Sequence, residues 1–234
     1  MSNLRVIVTG GSQGIGRAIA LAFARRGARV AIAARTGDKL DQVVAEIDSL
    51  GGRGCPLQMD VTEDGGLEGA IYRAVEHCDG VIDVLVNNAG IFGVQPFEDQ
   101  SPAGWRKMLD VNLTGPFLVT RETIDALKAS PRAHIFNIAS VAGRQGFPGA
   151  TAYCASKYGL RGFSDALRLD LAKTKIRVST VYPDATDTAI FDGVPGDWDR
   201  SKMNRPEDVA AVILKAFDSD LGTDVADIDV PAPK

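Results

Sequence analysis

The segment LRVIVTGGSQGIG (Leu4–Gly16) joins a run of β-branched residues to a glycine-rich turn and the start of a helical pattern. It predicts a strand, a tight turn and a helix in immediate succession. Gly10, Gly14 and Gly16 have the spacing G-x-x-x-G-x-G, which differs from the general dinucleotide fingerprint G-x-G-x-x-G. Glycines let a phosphate approach the free N–H groups at a helix N-terminus, but they also let a helix pack closely on a sheet. The turn alone leaves both uses open.

The rest of the chain repeats this alternation of strand and helix. Six further strand-like runs follow, which are RVAIAA, CPLQMD, DVLVNN, AHIFNIAS, IRVSTVY and VADIDV. Helices are expected over TAYCASKYGL (Thr151–Leu160) and from about Gly14, Asp38, Asp64, Ser101 and Pro206. Seven strands with six crossovers predict an α/β fold, a single-domain Rossmann-type doubly wound parallel sheet flanked by helices, over residues 1–234. The irregular stretch at about 184–204 is predicted to be a lid or substrate loop, with an ordered surface excursion as the alternative.

Composition argues against several classes of function. A net charge of −4 is not the basic excess that nucleic-acid binding needs. No apolar run approaches membrane-spanning length and the first residues lack a signal-peptide pattern, so we expect a cytoplasmic protein without membrane or nucleic-acid partners. Cys55, Cys78 and Cys154, with His77 and His134, lack the spacing of a metal site or a disulfide framework. Metal chemistry and histidine-based catalysis are therefore not expected.

Four motifs, taken together, resemble the short-chain dehydrogenase/reductase family. They are TGGSQGIG, NNAG at Asn87–Gly90, Ser140 at the end of a later strand, and Tyr153-x-x-x-Lys157 starting thirteen residues after that serine. The resemblance covers nearly the whole chain and is greatest to 3-oxoacyl acyl-carrier-protein reductases. It implies a small-molecule carbonyl or alcohol substrate, and a homodimer or homotetramer formed through the helices near Ser101 and Thr151.

The resemblance also implies the residues of the site. The expected catalytic residues are Asn112, Ser140, Tyr153 and Lys157. The expected cofactor-binding residues are Gly10, Ser12, Gln13, Gly14, Ile15, Gly16, Arg35, Thr36, Asp60, Val61, Asn87, Ala89, Gly90, Tyr153, Lys157, Pro183, Thr186 and Thr188. Substrate-pocket residues are expected among Phe92, Val94, Gln95, Arg144, Phe147, Tyr182 and Trp198.

Tyrosine and lysine suit the reduction of a ketone. Hydride transfer builds negative charge on the carbonyl oxygen, so the site must supply a proton and a hydrogen-bond donor there. Lys157 follows Tyr153 by one helical turn, and its ammonium is expected to lower the pKa of the phenol, whereas Tyr158 has Gly162 at the same offset. Ser140 is expected to orient the substrate. By resemblance, Asn112 holds a water in a proton relay, which would explain an asparagine inside a helix, and an exposed helical asparagine is the alternative.

The second strand indicates the cofactor. Ala34 stands where NAD-preferring relatives carry an acid, and Arg35 follows it with a side chain suited to a 2′-phosphate. We therefore expect NADP(H) and leave NAD(H) open, since Gln13 stands where many NADP-type relatives have a basic residue. A solvated arginine at a strand end is the alternative for Arg35, and Asp60 with Val61 resembles the pair that meets the adenine ring.

Asp184 departs from the family pattern, in which proline is followed by glycine. An aspartate could strain the turn if the turn needs a positive φ, and its charge would favour the oxidised nicotinamide ring, or it could simply face solvent. The expected function is NADP(H)-dependent interconversion of a ketone and a secondary alcohol, with a 3-oxoacyl thioester as one substrate. The alternatives are a general carbonyl reductase, an alcohol or sugar dehydrogenase, and a non-catalytic dinucleotide sensor.

Overall fold

A computed structural model describes residues 4–220, 223 and 225–233. Its strands form one sheet with the order β3-β2-β1-β4-β5-β6-β7, and all neighbouring strands are parallel. The strands are β1 (Arg5–Thr9), β2 (Arg29–Ala34), β3 (Arg53–Gln58), β4 (Val84–Asn87), β5 (His134–Ile138), β6 (Arg177–Pro183) and β7 (Asp227–Val230). The predicted Rossmann-type sheet of seven parallel strands is confirmed.

The helices connect consecutive strands and cover both faces of the sheet. They are α1 (Gly14–Ala24), α2 (Gly37–Ser49), α3 (Asp64–His77), α4 (Pro102–Leu109), α5 (Gly115–Lys128), α6 (Thr151–Asp170) and α7 (Pro206–Asp218). Single 3₁₀ turns lie at Phe97–Asp99, Val141–Gly143, Ala189–Phe191 and Arg200–Lys202. No helix within the described part of the chain is both long and apolar enough to cross a membrane.

The core consists of two apolar layers, one on each face of the sheet. Val6 and Val8 of β1 point to the layer that contains Phe23 and Phe217, whose rings meet edge to face at 5.8 Å. Ile7, between them in sequence, points to the other layer. Because strand side chains alternate and both faces are covered, the central strands are apolar on both sides, which explains their continuous apolar runs. The edge strands β3 and β7 keep exposed residues.

The helix predicted from Ser101 begins where expected, but it is not one continuous α-helix. The Ser101 hydroxyl accepts a hydrogen bond from the Gly104 N–H (3.0 Å), and Pro102 occupies the first helical position. A π-helical turn (Asp110–Thr114) then interrupts the helix between α4 and α5. Asn112 lies in this turn and is completely buried, so it is not the exposed helical asparagine that was the alternative.

The strand order reverses between β1 and β4. Strands β1 to β3 extend the sheet in one direction, and β4 then lies on the opposite side of β1. In open α/β sheets the crevice at such a switch point, at the carboxyl ends of the strands, is where ligands bind. The fold therefore indicates a ligand site at the carboxyl ends of β1 and β4.

Candidate active site

A groove of about 510 Å³ runs along the carboxyl ends of the first strands. The expected cofactor-binding residues that line it are Gly10, Ser12, Gln13, Gly14, Ile15, Arg35, Thr36, Asp60, Val61, Ala89, Gly90 and Thr188. Pro183 and Thr186 line a neighbouring cavity with Tyr153 and Lys157. Gly16 lies against Gly10 O and does not line the groove, since a Cβ on Gly16 would collide with that oxygen. Close packing is therefore the role of Gly16, and phosphate binding at the glycines that line the groove stays a prediction.

The turn before α1 has the shape that a phosphate-binding cradle requires. Gly10 has φ +64° and an added Cβ would lie 2.8 Å from the Asn88 Nδ2, while Gly14 has φ +55° and its Cβ would lie 3.0 Å from the Thr188 Cγ2. Gln13, at the N-terminus of α1, turns its side chain toward Lys39 and does not cap the helix. The N–H groups of the first turn are therefore available to an anion, which fits the diphosphate of a dinucleotide.

Asn87 does not face the groove, and its neighbour Asn88 does. The Asn87 amide is buried inside the protein, where it donates hydrogen bonds to the Asn137 Oδ1 (2.8 Å) and the Thr120 Oγ1 (3.0 Å). Asn88 Nδ2 donates to the carbonyl oxygens of Thr9 (3.0 Å) and Gly10 (3.1 Å) and so supports the glycine turn. Consecutive side chains at a strand end point to opposite sides, so the motif indicated the pair without indicating which member faces the groove.

Lys39 is a groove residue that the sequence reasoning missed. It lies in the first turns of α2, lines the groove together with Arg35 and Thr36, and donates a hydrogen bond to the Gln13 Oε1 (3.0 Å). An ammonium therefore stands beside Gln13, the position where the sequence lacks a basic residue. The available signal was a lysine four residues after Arg35, at the start of the helix that follows β2.

Ser140, Tyr153 and Lys157 lie on the wall of a second cavity, of about 430 Å³. Ser140 follows β5, and its hydroxyl accepts a hydrogen bond from the Ala142 N–H (3.1 Å), which fixes the short turn after the strand. Lys157 donates to the Ile138 carbonyl oxygen (2.8 Å), and its Nζ lies 5.7 Å from the centroid of the Tyr153 ring. Tyr158, on the same helix, is 44% exposed. The structure thus brings the predicted serine, tyrosine and lysine together and leaves Tyr158 at the surface.

The pKa of Tyr153 is raised, which is opposite to the lowering expected from its lysine neighbour. Burial raises the pKa of Tyr153 to about 12, and a hydrogen bond with Ser140 opposes this rise. Burial also lowers the pKa of Lys157 to about 8. Both shifts have the same cause, because the low-dielectric interior disfavours the charged form of each group. At neutral pH the phenol is therefore protonated and can serve as a proton donor.

Asn112 joins three parts of the site. Its Oδ1 accepts from the Ile91 N–H (2.8 Å), and its Nδ2 donates to the Ile91 carbonyl (2.9 Å) and the Ser156 Oγ (3.0 Å). Ser156 in turn donates to the Tyr153 carbonyl oxygen (2.7 Å). A Cβ on Gly90 would lie 3.3 Å from the Asn112 Oδ1 and 3.8 Å from the Lys157 Nζ. The π turn thus places Asn112 next to both the loop after β4 and α6.

The second cavity has apolar and aromatic walls. Of the residues predicted around the substrate pocket, Phe92, Val94, Phe147 and Trp198 line it. Gln95, Arg144 and Tyr182 do not. Arg144 instead lies over the Tyr182 ring, with its Cζ 3.7 Å from the centroid, and pairs with Asp229 (2.7 Å). Stacking and ion pairing with β6 and β7 turn this arginine away from the cavity. Residues Thr186 to Trp198 of the predicted lid supply much of the cavity wall.

Asp184 is not strained. Asp79 is the one non-glycine residue with a positive φ among those that the structure describes, so Asp184 occupies a backbone conformation open to ordinary residues. Its Oδ1 accepts from the Ala185 N–H (2.8 Å), and its own N–H donates to the Val230 carbonyl (3.0 Å). Asp184 also lines the second cavity. The strain hypothesis is wrong, whereas an effect of its charge stays a prediction.

The groove and the cavity adjoin each other. Seven residues line both, namely Ile15, Asn88, Gly90, Ile91, Phe92, Thr188 and Ile190. A long ligand in the groove can therefore extend one end into the cavity that contains Tyr153. The parallel sheet and the glycine-rich groove at its switch point define a Rossmann-type protein.

Comparison with known proteins identifies the family. Residues 5–197 match the family model described as short chain dehydrogenase, and the chain belongs to this family, whose members use nicotinamide dinucleotide cofactors. It is 38% identical over 178 residues to cyclopentanol dehydrogenase of Comamonas sp., covering 76% of this chain and 71% of the relative. It is 35% identical to a 3beta-hydroxysteroid dehydrogenase of Mediterraneibacter gnavus, covering 82% of this chain and 69% of the relative. It is 34% identical to the 3-oxoacyl acyl-carrier-protein reductase FabG of Thermotoga maritima, covering 89% and 87%.

Two solved structures have the same fold. One is an alcohol dehydrogenase from the archaeon Thermococcus sibiricus complexed with 5-hydroxy-NADP, with a TM-score of 0.88, 25% identity and coverage of 96% of this chain and 94% of that one. The other is a metagenomic short-chain oxidoreductase in complex with NADP, with a TM-score of 0.84, 32% identity and coverage of 98% and 96%.

Proposed function

We propose that this chain is an NADP(H)-dependent oxidoreductase that interconverts a ketone and a secondary alcohol. The observation that carries the proposal is the convergence of Ser140, Tyr153 and Lys157 on one cavity that adjoins the dinucleotide groove. A protein that only sensed the dinucleotide would not need a proton donor and a second hydrogen-bond donor in that cavity.

The proposed chemistry divides between the cofactor and the protein. The nicotinamide dinucleotide, when bound, supplies or accepts the hydride. In ketone reduction the Tyr153 hydroxyl donates its proton to the carbonyl oxygen, and the Ser140 hydroxyl donates a hydrogen bond to the same oxygen. The Lys157 ammonium adds positive charge where the oxygen becomes negative, and Asn112, whose side chain bonds to the Ile91 backbone and to Ser156, would complete the proton path. Alcohol oxidation uses the same groups in reverse, with the Tyr153 phenolate as base.

The charges at the end of β2 support NADP(H) as the cofactor. Arg35 and Lys39 place two cations at the end of the groove, and Ala34 supplies no carboxylate that would repel a 2′-phosphate. Similarity to two solved structures that contain NADP or 5-hydroxy-NADP supports the same choice. Asp60 and Val61 would contact the adenine, and Pro183 and Thr186 the nicotinamide end.

The walls of the cavity support an apolar substrate. Phe92, Phe147, Phe191 and Trp198 line it, and such walls favour a compact hydrophobic ketone. Similarity to cyclopentanol dehydrogenase and to a 3beta-hydroxysteroid dehydrogenase supports a cyclic secondary alcohol and its ketone. A 3-oxoacyl thioester is the second candidate, because FabG is similar over 89% of the chain.

We further propose that the chain forms a homodimer or homotetramer. Phe117 of α5 and Tyr158 of α6 are each 44% exposed, and the Phe117 ring meets that of Phe163 at 6.3 Å. A second copy that covered this aromatic surface would remove it from water. Size-exclusion chromatography with light scattering measures the number of subunits, and a monomer at micromolar concentration would contradict the proposal.

The test of function combines turnover and binding. NADPH oxidation is followed with cyclopentanone, a 3-ketosteroid and a 3-oxoacyl thioester, and the preferred substrate is then used with Tyr153→Phe and the matched control Tyr158→Phe. We expect Tyr153→Phe to lose at least about 100-fold in kcat, in line with the loss of a general acid, while its affinity for NADPH in titration calorimetry stays unchanged. Tyr158→Phe should behave as the wild type. Equal turnover by both variants would reject the proposed mechanism.

A further inference from the structure

The wall of the substrate cavity that carries Phe191 and Trp198 is a single loop, which we call the lid loop (residues 187–203). Its two ends are joined, because Asp187 N–H donates to the Asn204 carbonyl (2.8 Å) and Asn204 N–H donates to the Ala185 carbonyl (2.8 Å). The loop therefore leaves and returns to the fold at one point. The position of its outer part must depend on contacts made within the loop and across the cavity.

Aromatic rings connect the lid loop to Tyr153. Phe191 and Trp198 lie on the outgoing and returning limbs of the loop, with ring centroids 4.9 Å apart. Both pack on Phe92, at 5.5 Å and 5.8 Å, and Phe92 packs edge to face on the Tyr153 ring at 4.8 Å. A shift of either limb would therefore change the volume of the cavity next to Tyr153.

Arg200 connects the two limbs. Its guanidinium donates from Nη1 to the Asp187 Oδ1 (2.8 Å) and the Thr188 carbonyl (3.1 Å), and from Nη2 to the Asp192 Oδ1 (2.6 Å). A planar guanidinium can hold two carboxylates in fixed directions, which an ammonium cannot. Arg200 does not itself line the cavity.

Another ion pair of the same loop serves as a comparison. Lys202 pairs with Asp199 (3.0 Å), but these residues are three apart within one 3₁₀ turn of the returning limb. This pair does not cross from one limb to the other. Its removal should leave the distance between the limbs unchanged.

We propose that Arg200 is a positioning residue, which clamps the limbs of the lid loop and so sets the aromatic wall that determines the affinity for the substrate. This inference depends on the proposed function in one respect, namely that the cavity binds the substrate. Asp187 and Asp192 are exposed, with side-chain exposures of 47% and 67%, so salt should screen the clamp. The KM for an uncharged ketone should therefore rise with ionic strength.

A fluorescent probe of the loop is already present. The chain has two tryptophans, and Trp105→Phe leaves Trp198 as the single reporter. Acrylamide quenching of Trp198 then measures access to the lid loop without any turnover. The same protein is assayed for KM and kcat with cyclopentanone at saturating NADPH, at low salt and at about 1 M NaCl, where the Debye length falls to about 3 Å.

In this background Arg200→Gln and the double variant Asp187→Asn/Asp192→Asn both remove the clamp, and Lys202→Gln is the control. We expect each clamp variant to raise Trp198 quenching and to raise KM about fivefold, with kcat changed less than about twofold, because substrate binding is affected before chemistry. The salt dependence of KM should disappear in both. Lys202→Gln should match its parent in every measurement.

Three possible results distinguish failure of the proposed Arg200 clamp from failure of the proposed function. Trp198 quenching unchanged in both clamp variants would overturn the role of Arg200. Increased quenching with unchanged KM would show that the clamp orders the loop without setting substrate affinity, and would also overturn the proposal. If quenching responds as expected but no protein, including the parent, reduces any ketone, the proposed function fails while the clamp on the loop stands.

Discussion

Replacing Lys157 with methionine should stabilise the protein while it abolishes turnover. Lys157 is 5% exposed, and burial lowers its pKa from 10.5 to about 8. The fall in pKa is equivalent to about 3 kcal/mol of unfavourable free energy for keeping the ammonium charged in the folded state at pH 7. Methionine has a similar length and no charge. The variant also loses the hydrogen bond to the Ile138 carbonyl, at a cost of about 1 kcal/mol, so we expect a net gain of about 2 kcal/mol.

The dependence on pH identifies the cause of this gain. Below pH 8 the lysine is charged in both the folded and the unfolded chain, and the penalty on the folded state is complete. Between pH 8 and 10.5 the folded chain has released a proton that the unfolded chain still holds, so the stability of the wild type rises with pH. Above pH 10.5 the penalty has vanished. The advantage of Lys157→Met should therefore shrink by about 1.4 kcal/mol per pH unit within this window.

Urea unfolding between pH 7 and 9.5 measures the difference in the free energy of unfolding between the wild type and Lys157→Met. Most other titrating groups are common to the two proteins, so their contributions cancel in this difference. Lys175→Met, at an exposed position, is the matched control and should differ from the wild type by less than about 0.5 kcal/mol at every pH. A difference between wild type and Lys157→Met that stays constant across this range would refute the assignment of a buried, desolvated ammonium.

Other predictions concern the cofactor, the Asp184 turn and the direction of reaction. Arg35→Asp should weaken NADP⁺ binding at least about tenfold and Lys39→Gln several-fold, whereas the affinity of either variant for NAD⁺ should change less than about twofold. Titration calorimetry measures both affinities, and equal losses for the two dinucleotides would show that Arg35 and Lys39 do not bind the 2′-phosphate. Asp184→Gly should lower the free energy of unfolding by about 1 kcal/mol, because it removes the hydrogen bond from Ala185 N–H and adds backbone freedom, whereas a more stable variant would contradict the unstrained turn. Since the pKa of Tyr153 is raised, the rate of alcohol oxidation should increase from pH 7 to 9 as the phenolate population grows, and that of ketone reduction should not; an oxidation rate independent of pH would argue against the Tyr153 phenolate as the base.

The candidate site was predictable where it depends on local spacing. The interval between Tyr153 and Lys157 is one helical turn, and Ser140 follows the end of a strand. Both patterns depend on the local sequence and not on how the helix and the strand pack in the fold. Asn112 was recognisable as a misfit in a helix, but the π turn that accommodates it was not. That turn is stabilised by contacts with Ile91 and Ser156, which are distant in sequence.

The choice between neighbouring side chains could not be predicted. NNAG indicated the end of β4, yet only the register of β4 with its neighbours shows that Asn88 faces the groove while Asn87 bonds to Asn137. Arg144 was expected at the substrate cavity. Its direction is determined by stacking on Tyr182, whose position comes from the pairing of separate strands.

The sequence by itself determined the order of strands and helices, the glycine-rich turn and the Tyr153–Lys157 spacing, because each depends on conformational preferences and periodicities within a short segment. Only the tertiary structure decided the burial that shifts the pKa of each member of that pair, the presence of Lys39 beside Gln13 and the clamp that Arg200 forms across the lid loop. Desolvation depends on every element packed around a charge, and contacts between loops depend on where the sheet places their ends. Neither the desolvation of a charge nor a contact between loops can be inferred from the spacing of residues along the chain.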